Sequence, residues 1–463
     1  MAAPLSALAR RDVESVLHPY TNLKVHGEQG PLVIVRGKGI YVYDEHGREY
    51  IEAMSGLWCA SLGFGEEELA DAAAKQMREL PFYHSFNHKA AAPVIELADK
   101  LKRMVPVPMA KVLFANSGSE ANDSLVKLVW YYNNARGKPK KKKIISRLRA
   151  YHGVTLVTAS LTGLPNNHRS FDLPLAGVLH TDCPHYYRGG RQGETEAEFV
   201  DRLAKSLEAL IVKEDPETVA AFIAEPVMGG GGVVVPPAGY FARVQEILAR
   251  HDILFLDDEV ICGFGRTGNM FGAETFGLAP DTMTLAKALS AAYLPISAAL
   301  INERIAGAVI EESNKIGVFA HGFTYSGHPV PAAVALKTLE IYERRDILGH
   351  VRRIAPHFQR RLRALADHPL VGEVRGVGLI GALELVADKT TKRAFAPPGR
   401  IGTYAAKHAE ANGMIVRALV DSIALCPPLI ITEAEIDAMF ERLTRSLDAT
   451  EAWVAKERLR DAA

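Results

Sequence analysis

Three short, almost wholly apolar runs recur through the middle of the chain: Val112–Ala115, Val219–Ala224 and Ile253–Leu256. The first meets Asn116-Ser117-Gly118-Ser119 and a helical pattern that runs to Tyr131. The second is followed by a helical pattern at Ala238–His251, and the third ends in Asp257-Asp258-Glu259. Runs this short and apolar have no polar face to give to water. Strands of that kind, alternating with helices, predict an α/β fold with a mostly parallel sheet covered on both faces. The chain has 463 residues, and single cores stop growing near roughly 250–300 residues, so a division into two or three domains is expected. After Pro329 the texture changes. Helical patterns at Val330–Arg344 and Leu348–Ala366 lead to strand-like Leu370–Arg375 and Leu379–Leu385, a helix at Ile401–Asn412, a strand at Met414–Arg417 and a terminal helix from Glu433. Near the N-terminus, Pro31–Arg36 and Gly39–Asp44 read as strands with turns around Gly37 and Glu45-His46-Gly47. The expected division is an N-terminal segment 1–60 and a C-terminal unit 329–463, which together form a smaller α+β domain, around a large domain 61–328.

Several functions are excluded early. Lys plus Arg and Asp plus Glu are 54 each, so there is no net field to hold a polyanion. The one basic run, Lys138 to Lys143, reads as a solvated turn. No apolar run approaches the roughly 18–20 residues that cross a bilayer, and Met1–Ala9 followed by Arg10-Arg11-Asp12 does not read as a signal peptide. Cys59, Cys183, Cys262 and Cys426 form no CxxC pair, which fits a reducing, cytoplasmic setting. His84 and His88 have metal-helix spacing, but Ser85 stands where HExxH has glutamate; Cys183 and His185 lack a second pair; no metal is predicted. Gly263-Phe264-Gly265-Arg266-Thr267-Gly268 matches GxGxxG, yet acids and a loop separate it from the strand and residues 269–272 start no helix, so a dinucleotide site is rejected.

Three other places fit one another. Asn116-Ser117-Gly118-Ser119-Glu120 joins a strand to a helix start, where free N–H groups and small residues suit a phosphate, although an N-cap alone explains it equally well. Asp258 stands just past the end of an apolar strand, where open α/β sheets set ligand groups, while Asp257 reads as an exposed strand-end acid. Lys287 is one cation in the apolar stretch Thr284-Leu285-Ala286-Lys287-Ala288-Leu289, a snorkelling lysine or a nucleophile of lowered pKa. Pyridoxal phosphate uses all three: a lysine, an acid for its ring nitrogen and a phosphate cup.

With these residues in hand, the chain resembles the class III pyridoxal-phosphate aminotransferases, and within them the omega-transaminases that use pyruvate as acceptor. The most specific blocks are Asn116–Glu120, Tyr151-His152-Gly153, Glu225-Pro226, Asp258-Glu259-Val260-Ile261 through Gly268, and His321-Gly322-Phe323-Thr324-Tyr325-Ser326-Gly327-His328-Pro329; Ala53-Met54-Ser55-Gly56-Leu57-Trp58 points to the omega branch. The resemblance implies the type I fold, with a seven-stranded sheet, and ping-pong transfer from an amine or omega-amino acid to a ketoacid. It implies Lys287 as Schiff-base lysine and proton shuttle, and Asp258 as partner of the pyridinium nitrogen. Ser117, Gly118 and Ser119 would hold phosphate, with Phe323 and Thr324 of the other subunit of a homodimer. Tyr151 and Val260 would flank the ring, and His152 and Glu225 would surround the cofactor. Tyr20, Trp58, Phe86, Tyr151 and Gly230 would line the substrate pocket, and Arg417 would receive a carboxylate.

The chain also departs from the family pattern. Where the family reads K-G-L-S-S-G-Y-L-P-I-G-A, Ala288, Ala291, Ala292 and Ser297 occur in that stretch; its Gly-Asp near the arginine is Val420-Asp421; and Gly229 to Gly232 run without the usual alanine. These changes bear on pocket shape and substrate range. Class III decarboxylases and aminomutases share the machinery and stay open as alternatives, as does a non-catalytic binding protein on the same fold, against which the intact Lys287 and Asp258 argue.

Overall fold

The computed structural model describes residues 5–461. The expectations that touch Met1–Pro4 and the last two residues lie outside that range. The N-terminal segment gives an antiparallel meander of β1 (Ile34–Lys38), β2 (Tyr41–Asp44) and β3 (Glu49–Glu52). The first strand runs later than its sequence suggests. Gly37 stays in the ladder opposite Val42, where a Cβ would lie 2.6 Å from that of Phe64, and Gly39 at φ 58° makes the turn.

The apolar runs become strands of a seven-stranded sheet, the second and third inside it and the first at an edge: β4 (Lys111–Ala115), β5 (Lys143–Arg147), β6 (Val178–Thr181), β7 (Val219–Ala224), β8 (Leu254–Asp258), β9 (Thr282–Leu285) and β10 (Ser297–Ile301). Their order is β4-β10-β9-β8-β7-β5-β6, with β10 antiparallel to both neighbours and every other pair parallel. Every residue of β7 and β8 is buried, as double cover requires. Ala221, Ile223, Leu254 and Leu256 face one layer with Leu125, Val129 and Ile305, while Phe222 and Phe255 face the other with Phe199 and Phe241. The period of two sends successive side chains of one strand into two separate cores.

The C-terminal part supplies β11 (Val371–Val377), β12 (Ile380–Leu385), β13 (Met414–Ile415), β14 (Arg417–Leu419) and β15 (Ser422–Leu425). The single strand expected over 414–417 is two, because its halves serve different sheets. β13 pairs parallel with β3, whereas β14 joins the sheet β11-β12-β15-β14. Residues from both ends of the chain thus share one sheet. The helix Pro329–Arg344 starts where the texture changes.

Two minor expectations need correction. Lys141 is buried rather than solvated, donating to the Pro216 and His251 carbonyls, and burial pushes its ammonium below the usual lysine range. A short helix, Gly272–Phe276, does follow the GxGxxG match, and its Gly272 and Ala273 amides donate to the Glu259 carboxyl. Within the match, Arg266 is buried and donates to the Leu379 and Pro427 carbonyls, welding the turn to the C-terminal part. His84 and His88 share no helix. No described helix is long and apolar enough to cross a membrane.

Candidate active site

The carboxyl ends of β4, β7, β8 and β9 and the loop after β5 surround a cavity of about 350 Å³. After β4, Ser117 caps the helix Gly118–Ala135 by accepting from the Glu120 amide at 3.2 Å, and Glu120 accepts in return from the Asn116 amide at 2.7 Å. A Cβ on Gly118 would meet Val260 at 3.0 Å, so the helix start closes on the cavity as only glycine allows. Ser119 Oγ accepts from the Val154 amide at 3.1 Å, and the Ser297 hydroxyl donates to the Ser117 carbonyl at 2.8 Å. Ser297, one of the departures, ties β10 to this turn.

Asp258 closes β8. Its Oδ2 accepts from Asn122 Nδ2 and from His152 Nδ1, both at 2.8 Å, and its Oδ1 from the Val260 amide at 3.1 Å. Asn122 is itself fixed: Thr284 donates to its Oδ1 at 2.7 Å, and its Nδ2 also reaches the His152 carbonyl. The His152 side chain is fully buried, and its Nε2 has no hydrogen-bond partner among the described residues. Asp257 is also buried, against the expectation of an exposed acid, because β8 continues through it, opposite Ala224 and Met283. Burial and the neighbouring Glu259 push its carboxyl far above the usual range.

Lys287 follows β9 in the left-handed region, at φ 49°. Burial pushes its ammonium down from the ordinary lysine range, and the nearby Asp258 opposes the shift. Ala291 and Ala292, at φ 48° and 70°, hold the left-handed backbone that glycine adopts freely. Beyond β5, the Tyr151 amide donates to Glu225 Oε1 at 3.0 Å and the Gly229 amide to Oε2 at 3.1 Å; Glu225 is buried, which raises its carboxyl. A Cβ on Gly230 would lie 3.0 Å from that of Tyr151.

The Tyr20 ring centroid lies 6.4 Å from that of Tyr151, and the Tyr20 hydroxyl accepts from Asn167 Nδ2 at 2.6 Å. Arg417, half-buried on β14, has its charge disfavoured by burial and favoured by Tyr151 and Tyr20. Tyr20, Gly230 and Arg417, like Trp58, Phe86, Phe323 and Thr324, do not line the cavity of their own chain. Trp58 packs in an apolar cluster with Met54, Val227, Ile261 and Cys262, while its neighbour Cys59 lines the cavity. Phe86 lies against Gly322, beside Phe323 and an exposed Thr324. Sequence reasoning missed Asn122 and Thr284. Their bonds span 136 and 162 residues, and no local pattern signals them.

Taken together, the donors fit a group with a phosphate, an aromatic N–H and a carbonyl carbon. The free amides at the start of an 18-residue helix suit the first, the braced Asp258 carboxylate the second, and the desolvated Lys287 amine the third.

The model of the class III aminotransferases matches residues 23–447. The gamma-aminobutyrate transaminase 1 of tomato (Solanum lycopersicum), a mitochondrial protein, is 52% identical over 437 residues, covering 94% of this chain and 85% of its own. The omega transaminase of Pseudomonas jessenii, solved with PMP, is 54% identical, with a TM-score of 0.96 over 97% of this chain and 99% of that one. A thermostable omega transaminase variant, W58M/F86L/R417L, engineered for asymmetric synthesis of enantiopure bulky amines, is equally similar, at 54% identity and a TM-score of 0.96 over 97% and 100% of the two chains. A match over nearly the whole length, on a fold this close, makes the chain a member of the class III aminotransferases, enzymes that depend on pyridoxal 5′-phosphate.

Proposed function

We propose that this aminotransferase takes the amino group of a primary amine or omega-amino acid and passes it to a ketoacid, pyruvate foremost, in two half-reactions at one site. The observation that carries the reading is the convergence on one cavity of a desolvated lysine, a braced carboxylate and a helix start. Bound there, the cofactor supplies a carbonyl for amine attachment and a ring that accepts electron density.

The chain's own residues do the rest. Ser117, Gly118 and Ser119 bind phosphate at the helix start. Asp258, held by His152 and Asn122, would accept from the ring N–H of the cofactor. Tyr151 and Val260 would pack against the ring, and Glu225 fixes the Tyr151 backbone from behind. Lys287 Nζ would carry the proton between the substrate carbon that bears nitrogen and the cofactor carbon on the far side of that nitrogen, and burial, which lowers its basicity, favours the free amine that this role needs. Arg417 receives the ketoacid carboxylate and turns aside for an apolar amine, while Tyr20, Trp58, Phe86 and Gly230 shape the apolar side. The engineered variant supports this, since this chain has Trp, Phe and Arg at the three numbers its substitutions carry.

Phe323 and Thr324 stand outside their own chain's cavity and are assigned to the phosphate site of a second copy, in a homodimer. The four unpaired cysteines fit a reducing, cytoplasmic setting. The test is the visible spectrum of the holoenzyme. A yellow band that bleaches with amine alone, returns with pyruvate and is missing in Lys287→Ala is the expected result. No band after incubation with the cofactor would sink the catalytic assignment, and carbon dioxide release without an acceptor would transfer it to a decarboxylase.

A further inference from the structure

We propose that Asp12, His18 and His26 form a site for one divalent transition-metal ion of the zinc type, on the N-terminal segment that carries Tyr20. The helix Ala7–Ser15 presents Asp12 and the helix Leu23–Gln29 presents His26, with His18 on the connection between them. His18 Nε2 lies 2.9 and 2.8 Å from the two Asp12 oxygens, and His26 Nε2 lies 3.0 Å from Oδ2. The two imidazoles stand side by side, centroids 4.0 Å apart, so both present the same ring nitrogen to one point. Zinc–nitrogen and zinc–oxygen bonds of about 2.0–2.2 Å in a tetrahedron need donors about 3.3 Å apart, so each His–Asp12 pair has to open by only a few tenths of an ångström, and all three ligand atoms already lie within 4.8 Å of one another. Side-chain exposures of 23% for Asp12, 28% for His18 and 9% for His26 leave room for water as a fourth ligand. Two imidazoles and one carboxylate suit zinc, cobalt, nickel or copper; calcium and magnesium ask for an all-oxygen shell.

The ion would close the chain from Asp12 to His26 into a ring, and Tyr20 lies on that ring. The segment is otherwise thinly held: Val16, Leu17 and Tyr20 are exposed, and Tyr20 is pinned at its tip by Asn167 and against Tyr151. Metal binding therefore orders the strap that bears one wall of the substrate pocket. It is not part of the transfer chemistry, and it stands or falls apart from the assignment of the lysine cavity.

The experiment uses untagged holoenzyme, stripped with chelator and dialysed, then titrated calorimetrically with Zn²⁺ alone and, separately, with Co²⁺ followed by its visible d–d bands. One ion per chain is expected, bound at least tenfold more weakly by His26→Ala and by His18→Gln. The glutamine keeps an N–H for Asp12 but loses the imidazole donor, so it separates a metal site from a hydrogen-bonded clasp with the fold intact. Zn²⁺ should also slow proteolysis within residues 5–30 about fivefold in the parent and not in His18→Gln. A titration that shows no ion bound, or binding indifferent to both substitutions, would overturn the proposal.

Discussion

Left-handed backbone at residues other than glycine occurs at several positions beside the chemistry, as it does elsewhere in the chain. Lys287, Ala291 and Ala292 adopt it after β9, Ser55 and Trp58 before the cavity, and Val420 in the hairpin that follows Arg417. Each costs on the order of 1 kcal/mol, more for a β-branched side chain. Val420 and Asp421 form the two-residue turn between β14 and β15, a place that favours glycine or asparagine. Val420→Gly and Ala291→Gly should therefore each stabilise the protein by about 1 kcal/mol, read as a higher thermal midpoint of the holoenzyme. Glu52 is a second residue at odds with its surroundings. It is buried at the foot of the Met54–Trp58 turn, accepts from the Met54 and Gly56 amides, and has its carboxyl pushed up to about 7 by burial. Between its ordinary value of 4.5 and about 7 the folded state holds a proton that the unfolded state has released. Stability falls as pH rises through that window, by on the order of 3 kcal/mol in total. Glu52→Gln should flatten the dependence, and thermal midpoints of parent and variant from pH 4.5 to 8 will check it.

At the scale of elements, the cavity depends on strand ends and on the turns that lock them. Removing the hydroxyl in Ser297→Gly frees the Ser117 carbonyl from β10. That costs about 1 kcal/mol, and the cofactor should leave about fivefold faster when dilution is followed by absorbance. Gly230→Ala would press a methyl onto Tyr151, at 3.0 to 3.3 Å, and should lower kcat/KM for bulky amines about tenfold with the yellow band retained. Much of this architecture was legible in the chain itself. Fully apolar runs marked β7 and most of β8, because strands covered on both faces cannot hide their composition. The end of β8 was misjudged because two acids look like a loop; the strand continues because Asp257 and Asp258 pair with Met283 and Thr284 of β9. The Asn122–Thr284 brace was illegible because it exists only once a helix crosses β9, and Trp58 read as pocket while its own chain buries it among apolar neighbours.

On the molecular scale, the surface carries an apolar area around residues 82–86. Phe82, Tyr83, Phe86 and Tyr325 are all exposed, with Phe82 and Tyr325 edge to face at 5.5 Å. A patch of this kind beside Phe323 and Thr324 is what a homodimer would cover. Tyr325→Asp should sediment as single chains and retain cofactor at least tenfold more weakly; dimers that persist with full retention would refute the shared phosphate site. The pairing of β13 with β3 has a consequence of another kind, for birth rather than function. About 360 residues separate Glu52 from Met414. At about 5–20 residues per second, a ribosome delivers the second strand some tens of seconds after the first. Through that interval the nascent meander has one edge without its partner, free to pair with a neighbouring polypeptide on the same message. The need for escort during synthesis is therefore greatest before the last tenth of the chain emerges.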